Sequence, residues 1–297
     1  MTKQATVCVI GSINMDLTIT TTKMPKQGET VLGGDFATYP GGKGANQAVA
    51  AARLGANVHM IGAVGQDEFG TSLLNHLKTE GIHVDGIVSS NEASTGVANI
   101  ILSEQDNRII VASGANKTVS PELVDQYQEL IKQSDMVLLQ LEIPIETVLH
   151  TVELASSYGV PVIVNPAPYQ ELPDALLKGA TYVTPNEIEA QAMQEHSGIQ
   201  SILDKQIITK GEHGVDYIDG GQQFTIPSFQ VEVRDTTGAG DTFNGALARS
   251  LGEGASLKEA IYKANAAAAI SVTKVGAQGG MPTKEEVEKF IKEQNQE

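Results

Sequence analysis

Short apolar runs alternate with amphipathic stretches along most of this chain. The runs are rich in β-branched residues and bounded by turn residues, which predicts strands at residues 6–10, 58–64, 136–141, 160–164, 180–184 and 206–209. The stretches between them have helical spacing and predict helices at 44–54, 68–80, 121–133, 146–158 and 186–195. Strands that alternate with helices predict an α/β fold, a Rossmann-like three-layer α/β/α sandwich around a mainly parallel central sheet.

Two segments, residues 17–39 and 95–117, interrupt this alternation. Each mixes Thr, Val and Ile with polar residues, contains Gly or Asn turns and lacks a helix between its strands, which predicts antiparallel ribbons projecting from the main sheet. Such ribbons suit a small β-sheet lid over a pocket, although an edge extension or a dimer surface is an equally physical use of exposed strands. Because the chain contains no linker or repeat, we expect a single domain over residues 1–297.

The C-terminal part of the chain has a helical pattern that begins with residues 240–251. Ser256 and Thr283 each stand three residues before a glutamate, which is the capping-box pattern of a helix N-terminus. Asn186 precedes Glu189 in the same way. These pairs predict three helix starts.

The formal net charge of −16 excludes several classes of partner. No cluster of Lys and Arg interrupts this acidity, so nucleic acids and anionic membranes would be repelled. An anionic ligand would have to be held by helix N-termini, a few lysines and a divalent cation. We therefore expect a small-molecule ligand, no nucleic acid and no membrane.

Cysteine and histidine usage indicates the cellular compartment and argues against zinc chemistry. The single cysteine, Cys8, lies in the apolar run 7–10 and predicts a buried core residue without a disulfide, which fits a reducing compartment. That run is far shorter than a signal-peptide core, and the ~20 consecutive apolar residues of a membrane span are absent from the sequence. We therefore expect a cytoplasmic protein. Zinc chemistry is not indicated, because the six histidines are scattered and no His-Glu-x-x-His or Cys-x-x-Cys occurs.

The most informative segment is Asp235-Thr-Thr-Gly-Ala-Gly-Asp241-Thr-Phe-Asn-Gly245, a glycine-rich turn that enters a helix. The small residues Gly238, Ala239 and Gly240 leave backbone N–H groups unobstructed at a helix N-terminus, which suits an anion hole for a phosphate. A carboxylate at the same place repels phosphate unless it accepts the proton of an attacking hydroxyl. We interpret Asp241 as a catalytic base; the alternative is an aspartate that only caps the helix or favours its dipole.

A second glycine-rich segment is Pro40-Gly-Gly-Lys-Gly-Ala-Asn46-Gln47. Its glycines allow close approach of a ligand, while Lys43 and Asn46 offer hydrogen-bonding groups for hydroxyls. The segment is not a Walker A loop, because Gly44 stands where that loop has Ser or Thr. The first strand is followed by Gly11-Ser-Ile-Asn-Met-Asp16 and not by a Rossmann Gly-x-Gly-x-x-Gly, which argues against a nicotinamide dehydrogenase.

Polar side chains follow several predicted strands, where open α/β sheets bind ligands. Asp16 has two oxygens for adjacent sugar hydroxyls, although a turn-stabilising aspartate is the alternative. Glu142 and Asn165 follow two further strands on the same edge. Asn186 and Glu189 suit Mg²⁺ waters and phosphate as well as a capping box. The segment 209–214 suits a nucleotide, and a plain β-turn explains it nearly as well.

Together these segments resemble the ribokinase family of carbohydrate kinases, over essentially the whole chain from Gly11 to Gln278. Both hallmark motifs of that family, Gly-Gly-Lys-Gly-Ala-Asn-Gln and Asp-Thr-Thr-Gly-Ala-Gly-Asp-Thr-Phe-Asn-Gly, stand here in order. The sugar-side pattern, with Asp16, Lys43, Leu141-Glu142 and Asn165-Pro-Ala-Pro168, is more similar to members that phosphorylate ribose than to fructokinases or adenosine kinases.

The resemblance implies a role for each of the matching positions. Sugar contacts are implied for Asn14, Met15, Asp16, Gly42, Lys43, Gly44, Ala45, Asn46 and Glu142, with Asp241 deprotonating the 5-hydroxyl of ribose and Gly238, Ala239 and Gly240 stabilising the transferring phosphoryl group. ATP contacts are implied for Asn186, Thr209, Lys210, Gly211, Glu212, His213, Gly214 and Asn265, with Glu189 helping to organise Mg²⁺. A monovalent cation, K⁺, is implied near Asp235, Thr237, Ser271, Lys274, Gly276 and Gly280. The lid is implied to cover the sugar and to pair two subunits as a homodimer.

Two features depart from the family pattern. The interval from Asn186 to Thr209 is short, and Gly279-Gly280 stands where a serine often closes the cation loop. Two other functions are also compatible with the pattern: a different sugar or nucleoside kinase of the same family, and a non-catalytic sugar or nucleotide sensor. The absence of Trp and the 4% aromatic content favour a free sugar over a nucleoside, whose base is commonly stacked on an aromatic ring. An intact Asp241 argues against a sensor, which needs no base.

Overall fold

The computed structural model describes residues 3–103, 106–194 and 199–296. The predicted helix end at Glu195 and residues 104–105 of the second ribbon lie outside these ranges. The strands are β1 (Thr6–Ile10), β2 (Asn14–Thr20), β3 (Phe36–Gly41), β4 (Asn57–Gly65), β5 (His83–Ser90), β6 (Gly96–Ser103), β7 (Asp106–Ala112), β8 (Met136–Leu139), β9 (Val162–Val164), β10 (Tyr182–Val183), β11 (Ile207–Thr209), β12 (Val215–Asp219) and β13 (Gln222–Ile226).

The α-helices are α1 (Lys43–Arg53), α2 (Glu68–Thr79), α3 (Pro121–Gln126), α4 (Gln128–Lys132), α5 (Ile145–Ser157), α6 (Asp174–Gly179), α7 (Glu187–Met193), α8 (Ala239–Gly252), α9 (Leu257–Ser271), α10 (Ala277–Gly280) and α11 (Lys284–Gln294). Short 3₁₀ helices lie at Gly114–Thr118, Ile199–Lys205 and Gly211–His213. All three predicted capping boxes are present at Asn186, Ser256 and Thr283. The predicted helix 121–133 is divided at Tyr127 into α3 and α4.

The central sheet has the strand order β10-β9-β8-β1-β4-β5, and all of its neighbouring strands are parallel. This confirms the predicted parallel α/β sheet. Strand β5 was not predicted, because it is a partly exposed edge strand that lacks a continuous apolar run. Strand β11 pairs antiparallel with β12 and not within the central sheet, to which isolated parallel bridges at Gln206 and Thr209 connect it.

Two apolar clusters cover the two faces of the central sheet. Strand β1 shows the alternation: Val7 and Val9 belong to one cluster, and Cys8 and Ile10 to the other. Helices α1, α2, α8 and α9 contribute to the first cluster, while α3, α5 and α6 contribute to the second. The three-layer sandwich is thus confirmed. Burial raises the pKa of the Cys8 thiol to about 12, so this cysteine is an inert core residue, as predicted.

The predicted ribbons form one small sheet with the strand order β3-β2-β6-β7, hereafter the small sheet. The pairs β2–β3 and β6–β7 are antiparallel as predicted, whereas β2 and β6 join the two ribbons in parallel. The small sheet begins at the ligand-binding edge of the central sheet, because only residues 11–13 separate β1 from β2. Among the described residues, no helix is long and apolar enough to span a bilayer.

Candidate active site

Glu142 connects the loop after β1 to the start of α1. Its Oε2 accepts hydrogen bonds from the Ser12 hydroxyl and from the Lys43 backbone N–H at 3.1 Å. The Gly44 N–H in turn donates to the Ser12 hydroxyl at 3.3 Å. A Cβ on Gly44 would lie 2.6 Å from the carbonyl carbon of Gly11, so only glycine allows this close approach. The second glycine-rich segment therefore packs tightly against the first strand end.

Asp16 lies on β2, and its carboxylate faces the backbone of Gly41 on β3. A Cβ added to Gly41 would lie 2.4 Å from both Asp16 oxygens. Burial, together with the negative charges of Glu142 and Asp241, raises the pKa of Asp16 to about 7. The charges of Glu142 and Asp241 thus act on Asp16, which holds its proton close to neutral pH.

Asn14 is oriented by an asparagine from the second ribbon. The Asn116 amide accepts from the Ile13 N–H at 2.9 Å and donates to the Ile13 carbonyl at 3.3 Å and to Asn14 Oδ1 at 2.7 Å. Because Asn14 Oδ1 is an acceptor here, its Nδ2 remains available as a donor. Asn116 was not predicted as a functional residue.

Asp241 lies in the first turn of α8 and is only 7% exposed. Its Oδ2 accepts from Asn46 Nδ2 at 2.9 Å, and its Oδ1 accepts from Gln47 Nε2 at 3.0 Å. Both donors come from consecutive residues of α1. Each carboxylate oxygen can accept a further hydrogen bond, so the amides fix the orientation of the group without saturating it.

A buried network of polar side chains supports this contact. Gln140 Nε2 donates to Gln47 Oε1 at 2.7 Å, and Gln47 Nε2 also donates to Asn165 Oδ1 at 3.1 Å. The Asn165 amide donates to the Thr184 carbonyl at 3.0 Å, so it connects the ends of β9 and β10. On the other side, Asn244 Nδ2 donates to the Gly240 carbonyl at 2.9 Å. The strand-end position of Asn165 was predicted, but the network was not.

Lys43 interacts electrostatically with three carboxylates. Burial by itself lowers the pKa of Lys43, but the charges of Asp241, Glu142 and Glu189 outweigh it and raise the pKa. The Lys43 ammonium is therefore charged and places positive potential beside the catalytic candidate. The Glu189 carboxyl has a raised pKa because it is partly buried, despite the Asn186 N–H and the Lys43 charge, which both favour ionisation.

The turn before α8 has a conformation that requires glycine. Gly238 has φ 77°, and a Cβ there would lie 2.8 Å from Ala277 Cα. Asp235 holds the turn against the neighbouring loop, because its carboxylate accepts from the Thr237 N–H at 2.9 Å and from the Gly276 N–H at 2.8 Å. Burial raises the pKa of Asp235, but the hydrogen bonds from Thr237 and Gly276 lower it by more. The net pKa is therefore below its usual value.

In the predicted cation loop, Gly280 packs against the Ser271 carbonyl. A Cβ on Gly280 would lie 2.2 Å from the Ser271 carbonyl oxygen, so a serine at position 280 would require the backbone to move. Gly280 therefore fits this close approach, whereas a Cβ on Gly279 would meet nothing within 4 Å. The Lys274 ammonium is turned away to Glu286 Oε1 at 3.1 Å, so only the backbone of Lys274 is available to a cation.

The predicted nucleotide residues form a separate group at the next strand ends. Thr209 donates its N–H to the Pro185 carbonyl at 3.0 Å, which places it beside Asn186. The Asn265 amide donates to the carbonyls of Ile226 and Pro227 at 3.4 and 3.3 Å. A Cβ on Gly214 would lie 2.1 Å from that same Ile226 oxygen, so Gly214 and Asn265 contact one segment.

Other predicted residues have side chains that are ion-paired, exposed to solvent or buried in the core. Lys210 is ion-paired with Asp216 at 3.1 Å, while the side chains of Glu212 and His213 are 85% and 69% exposed. Met15 and Ala45 are buried in the first apolar cluster. These two residues would contact a sugar through their backbone only. Gly211, predicted to contact the nucleotide, likewise has only its backbone to offer.

A cleft of about 350 Å³ lies between the small sheet and the end of β8. Val111 and Asn116 line it from the second ribbon, and Leu141 and Glu142 line it from the central sheet. Asn14 lies on its floor. Among the described residues, no group of three or more His, Cys, Asp or Glu side chains forms a cage for a metal ion.

Comparison with known proteins identifies the family. Residues 4–284 match the family model described as pfkB family carbohydrate kinase. The chain is 50% identical over 289 residues to a ribokinase from Bacillus subtilis, covering 96% of this chain and 99% of that protein. It is 36% identical over 300 residues to a deoxyribokinase from Salmonella typhi, covering 96% and 98%.

The fold agrees with that assignment. The structure of an Arabidopsis thaliana ribokinase complexed with ribose and ATP superposes with a TM-score of 0.91 at 31% sequence identity. The superposition covers 98% of this chain and 99% of the other. With a matching family model, close relatives over the full length and the same fold, this chain belongs to the pfkB family of carbohydrate kinases.

Proposed function

We propose that this chain transfers the γ-phosphoryl group of ATP to O5 of D-ribose, with Asp241 as the general base. The observation that carries the proposal is the buried Asp241 carboxylate, held by two amide donors at the foot of the glycine turn. A carboxylate held in this way is already oriented to accept a proton, so no conformational entropy is lost when the reaction begins. The similarity to ribokinases supports ribose as the acceptor.

The proposed reaction is an in-line displacement. The O5–H proton passes to Asp241 as O5 attacks the γ-phosphorus, and the bond from that phosphorus to the β,γ-bridging oxygen breaks. The electron pair of that bond leaves with ADP. Backbone N–H groups of Gly238 and Gly240 would stabilise the charge on the transferring group at the N-terminus of α8. The Ala239 N–H, which the sequence also predicted for this role, donates instead to the Thr236 carbonyl at 3.2 Å and closes the turn.

The sugar would lie between the small sheet and the central sheet. In the proposed complex the Asp16 carboxylate accepts from two adjacent hydroxyls, and Asn14 Nδ2 and Asn46 supply further polar contacts. Glu142, Lys43 and the glycines Gly42 and Gly44 shape the same pocket. This placement is supported by the charge interactions that connect Asp16, Glu142 and Asp241.

Mg²⁺ and the nucleotide would occupy the neighbouring strand ends. Mg²⁺ typically keeps several waters and uses one or two carboxylates, so the donor set around Glu189 fits it without a protein cage. When bound, Mg²⁺ would neutralise charge on the β- and γ-phosphates. Asn186, Thr209, Gly214 and Asn265 would form the nucleotide wall, together with the backbone of Lys210, Gly211, Glu212 and His213.

A K⁺ ion would bind beside the turn. Backbone carbonyls are suitable ligands for such an ion, and the Ser271 carbonyl lies against Gly280 in the loop whose Gly276 N–H donates to Asp235. Thr237, Lys274 and Gly276 would contribute from the same two loops. The ion would hold the turn in the conformation that aims its N–H groups at phosphate, which is electrostatic preorganisation.

The acceptor and the cation can be tested in one assay of ADP release. We expect turnover with ATP, Mg²⁺, K⁺ and ribose, less with deoxyribose, and little with fructose or adenosine; replacing K⁺ with Na⁺ should lower kcat. Turnover with another sugar and none with ribose would leave the base in place and contradict the sugar assignment. No turnover with any acceptor, while ribose still binds, would favour a sensor.

We also propose that residues 1–297 form one domain that pairs with a second copy through the small sheet. Both apolar clusters combine residues from distant parts of the chain, which supports one domain. The small sheet exposes Phe36 (64%), Tyr39 (52%) and Ile110 (69%), an unusually apolar surface for an isolated sheet. A cytoplasmic location remains the prediction made from Cys8.

We expect light scattering of the full chain to give twice the monomer mass. The variant Ile110→Asp should shift the mass towards the monomer, because a buried unpaired charge opposes pairing. The matched control is Ile188→Asp, which places the same charge at a position that is 79% exposed and outside the small sheet. A wild-type monomer, or equal effects of the two variants, would contradict pairing through the small sheet.

A further inference from the structure

A chain of side chains leads from Asp241 to a histidine on α2. Asn46 Nδ2 donates to Asp241 Oδ2 at 2.9 Å, and Gln278 Nε2 donates to Asn46 Oδ1 at 2.8 Å. His76 Nε2 lies 2.7 Å from Gln278 Oε1. Asn46 and Gln278 are 6% exposed, so water competes little for these bonds.

The chemistry of the groups sets the direction of every bond. An ionised carboxylate only accepts, so Asn46 must present its NH₂ group to Asp241 and its carbonyl to Gln278. Gln278 must then present its own NH₂ group to Asn46 and its carbonyl to His76. His76 Nε2 must therefore carry a hydrogen. All three donors point towards Asp241, and reversing any one amide would bring two donors or two acceptors together.

We propose that Gln278 is a positioning residue for the catalytic base, which acts by holding the Asn46 amide in the orientation that donates to Asp241, with His76 holding Gln278 in turn. The inference rests on the proposed function, because it assumes that Asp241 accepts the proton. It extends that function to two residues that lie beyond the sugar and nucleotide contacts.

Gln278 is also anchored through its main chain. Its carbonyl accepts from the Arg53 guanidinium, which also donates to the Met281 carbonyl at 3.2 Å and pairs with Glu80 at 2.7 Å. Gln278 follows Ala277, the residue that the Gly238 turn touches. The position of Gln278 is thus fixed by the protein on both sides, and its amide transmits that position to Asn46.

The charged groups near His76 come from three parts of the chain. Glu80, the C-cap residue after α2, lies 3.9 Å from His76 Nε2 and is paired with Arg53 on α1. Glu286 on α11 interacts electrostatically with Arg53. Since either the Nε2–H neutral ring or the charged ring donates from Nε2, the chain keeps its direction in both states.

The variant Gln278→Glu tests the proposal with almost no change in size. A carboxylate cannot donate to Asn46 Oδ1, so the Asn46 amide should turn its NH₂ group towards the new carboxylate and its oxygen towards Asp241. We expect kcat to fall roughly 10- to 100-fold with a smaller change in KM for the sugar. The acidic limb of the kcat profile should move to higher pH, because a carboxylate that loses an N–H donor holds its proton more tightly.

A pair of variants at position 76 separates positioning from bulk structure. His76→Gln retains a donor near the place of Nε2, whereas His76→Leu removes it, so the glutamine variant should lose several-fold less kcat than the leucine variant. The matched control for charge is Gln66→Glu, at an exposed position. In wild-type protein, ¹⁵N NMR should show a hydrogen on His76 Nε2.

Each result decides the proposal. A normal kcat and pH profile in Gln278→Glu would overturn it, as would equal losses in the two His76 variants or an Nε2 without hydrogen. Failure of the proposed function is distinguishable, because wild-type protein would then show no ribose-dependent turnover while the NMR result would still report the bond to Gln278. Melting temperatures identify any variant that fails to fold, and for these the NMR result decides.

Discussion

Replacing Asp241 with asparagine should lower kcat by ~10³-fold, the contribution expected of a general base. The variant has nearly the same shape, but it cannot accept the proton of the attacking hydroxyl. Asn46 and Gln47 both donate to the native carboxylate, so one of them will face the new NH₂ group. We expect ribose to bind with a small loss of affinity, measured by calorimetry, because its other contacts remain.

The control is Asp35→Asn, the same change at an exposed residue in the loop before β3. It should leave kcat, ribose affinity and melting temperature unchanged. Full turnover in Asp241→Asn, with ribose bound normally, would remove Asp241 from the mechanism. Loss of ribose binding together with a low melting temperature would point to a structural role for this carboxylate.

Replacing Asp16 with asparagine should weaken ribose binding by roughly 100-fold, because two charge-assisted hydrogen bonds are lost. The same change should raise the melting temperature at pH 8. The ionised Asp16 is held between Glu142 and Asp241 in a buried site, and the neutral amide removes that repulsion. Ligand-binding sites often contain such repulsion, which lowers the folding stability of the free protein but provides the groups that bind the ligand.

The sign of the pH dependence follows from the raised pKa. The pKa of Asp16 is about 7 in the folded protein, against an ordinary value of 3.8, so the folded state holds a proton that the unfolded chain releases. The stability contributed by that proton is fully present below the ordinary value and is lost as the pH rises through about 7. The melting-temperature gain of Asp16→Asn should therefore grow from pH 5 to pH 8, where we expect roughly 2–6 °C.

Calorimetry at two pH values completes this test. Ribose affinity of the wild-type protein should weaken below pH 7, where Asp16 holds its proton, and that of Asp16→Asn should change little with pH. A gain in stability that is the same at all pH values would contradict the repulsion. Asp35→Asn again serves as the matched control.

The sequence predicted the central sheet well, because buried parallel strands are nearly continuous apolar runs. It failed for β5, whose edge position leaves its residues partly exposed. It predicted both ribbons of the small sheet but not their parallel junction between β2 and β6. Strand pairing depends on partners that are distant in the chain, and a local pattern carries no information on them.

The site shows the same division. Asp241, Asn46, Asp16 and the Gly238 turn were predicted, because glycine-rich turns and helix-start carboxylates are local patterns. Gln47, Gln140 and Gln278 were missed as functional residues, since in sequence a buried amide looks like an exposed one. Gln278 and Asn46 are separated by 232 positions, so only folding brings them into contact.

By itself the sequence determined the α/β class, the two glycine-rich segments and the candidate base, because backbone freedom and hydrophobic periodicity are properties of neighbouring residues. The tertiary structure decided which amides hold Asp241, which charges act on Asp16 and which side chain orients Asn46. These features depend on distances of a few ångströms between segments far apart in the chain, and close packing alone sets such distances.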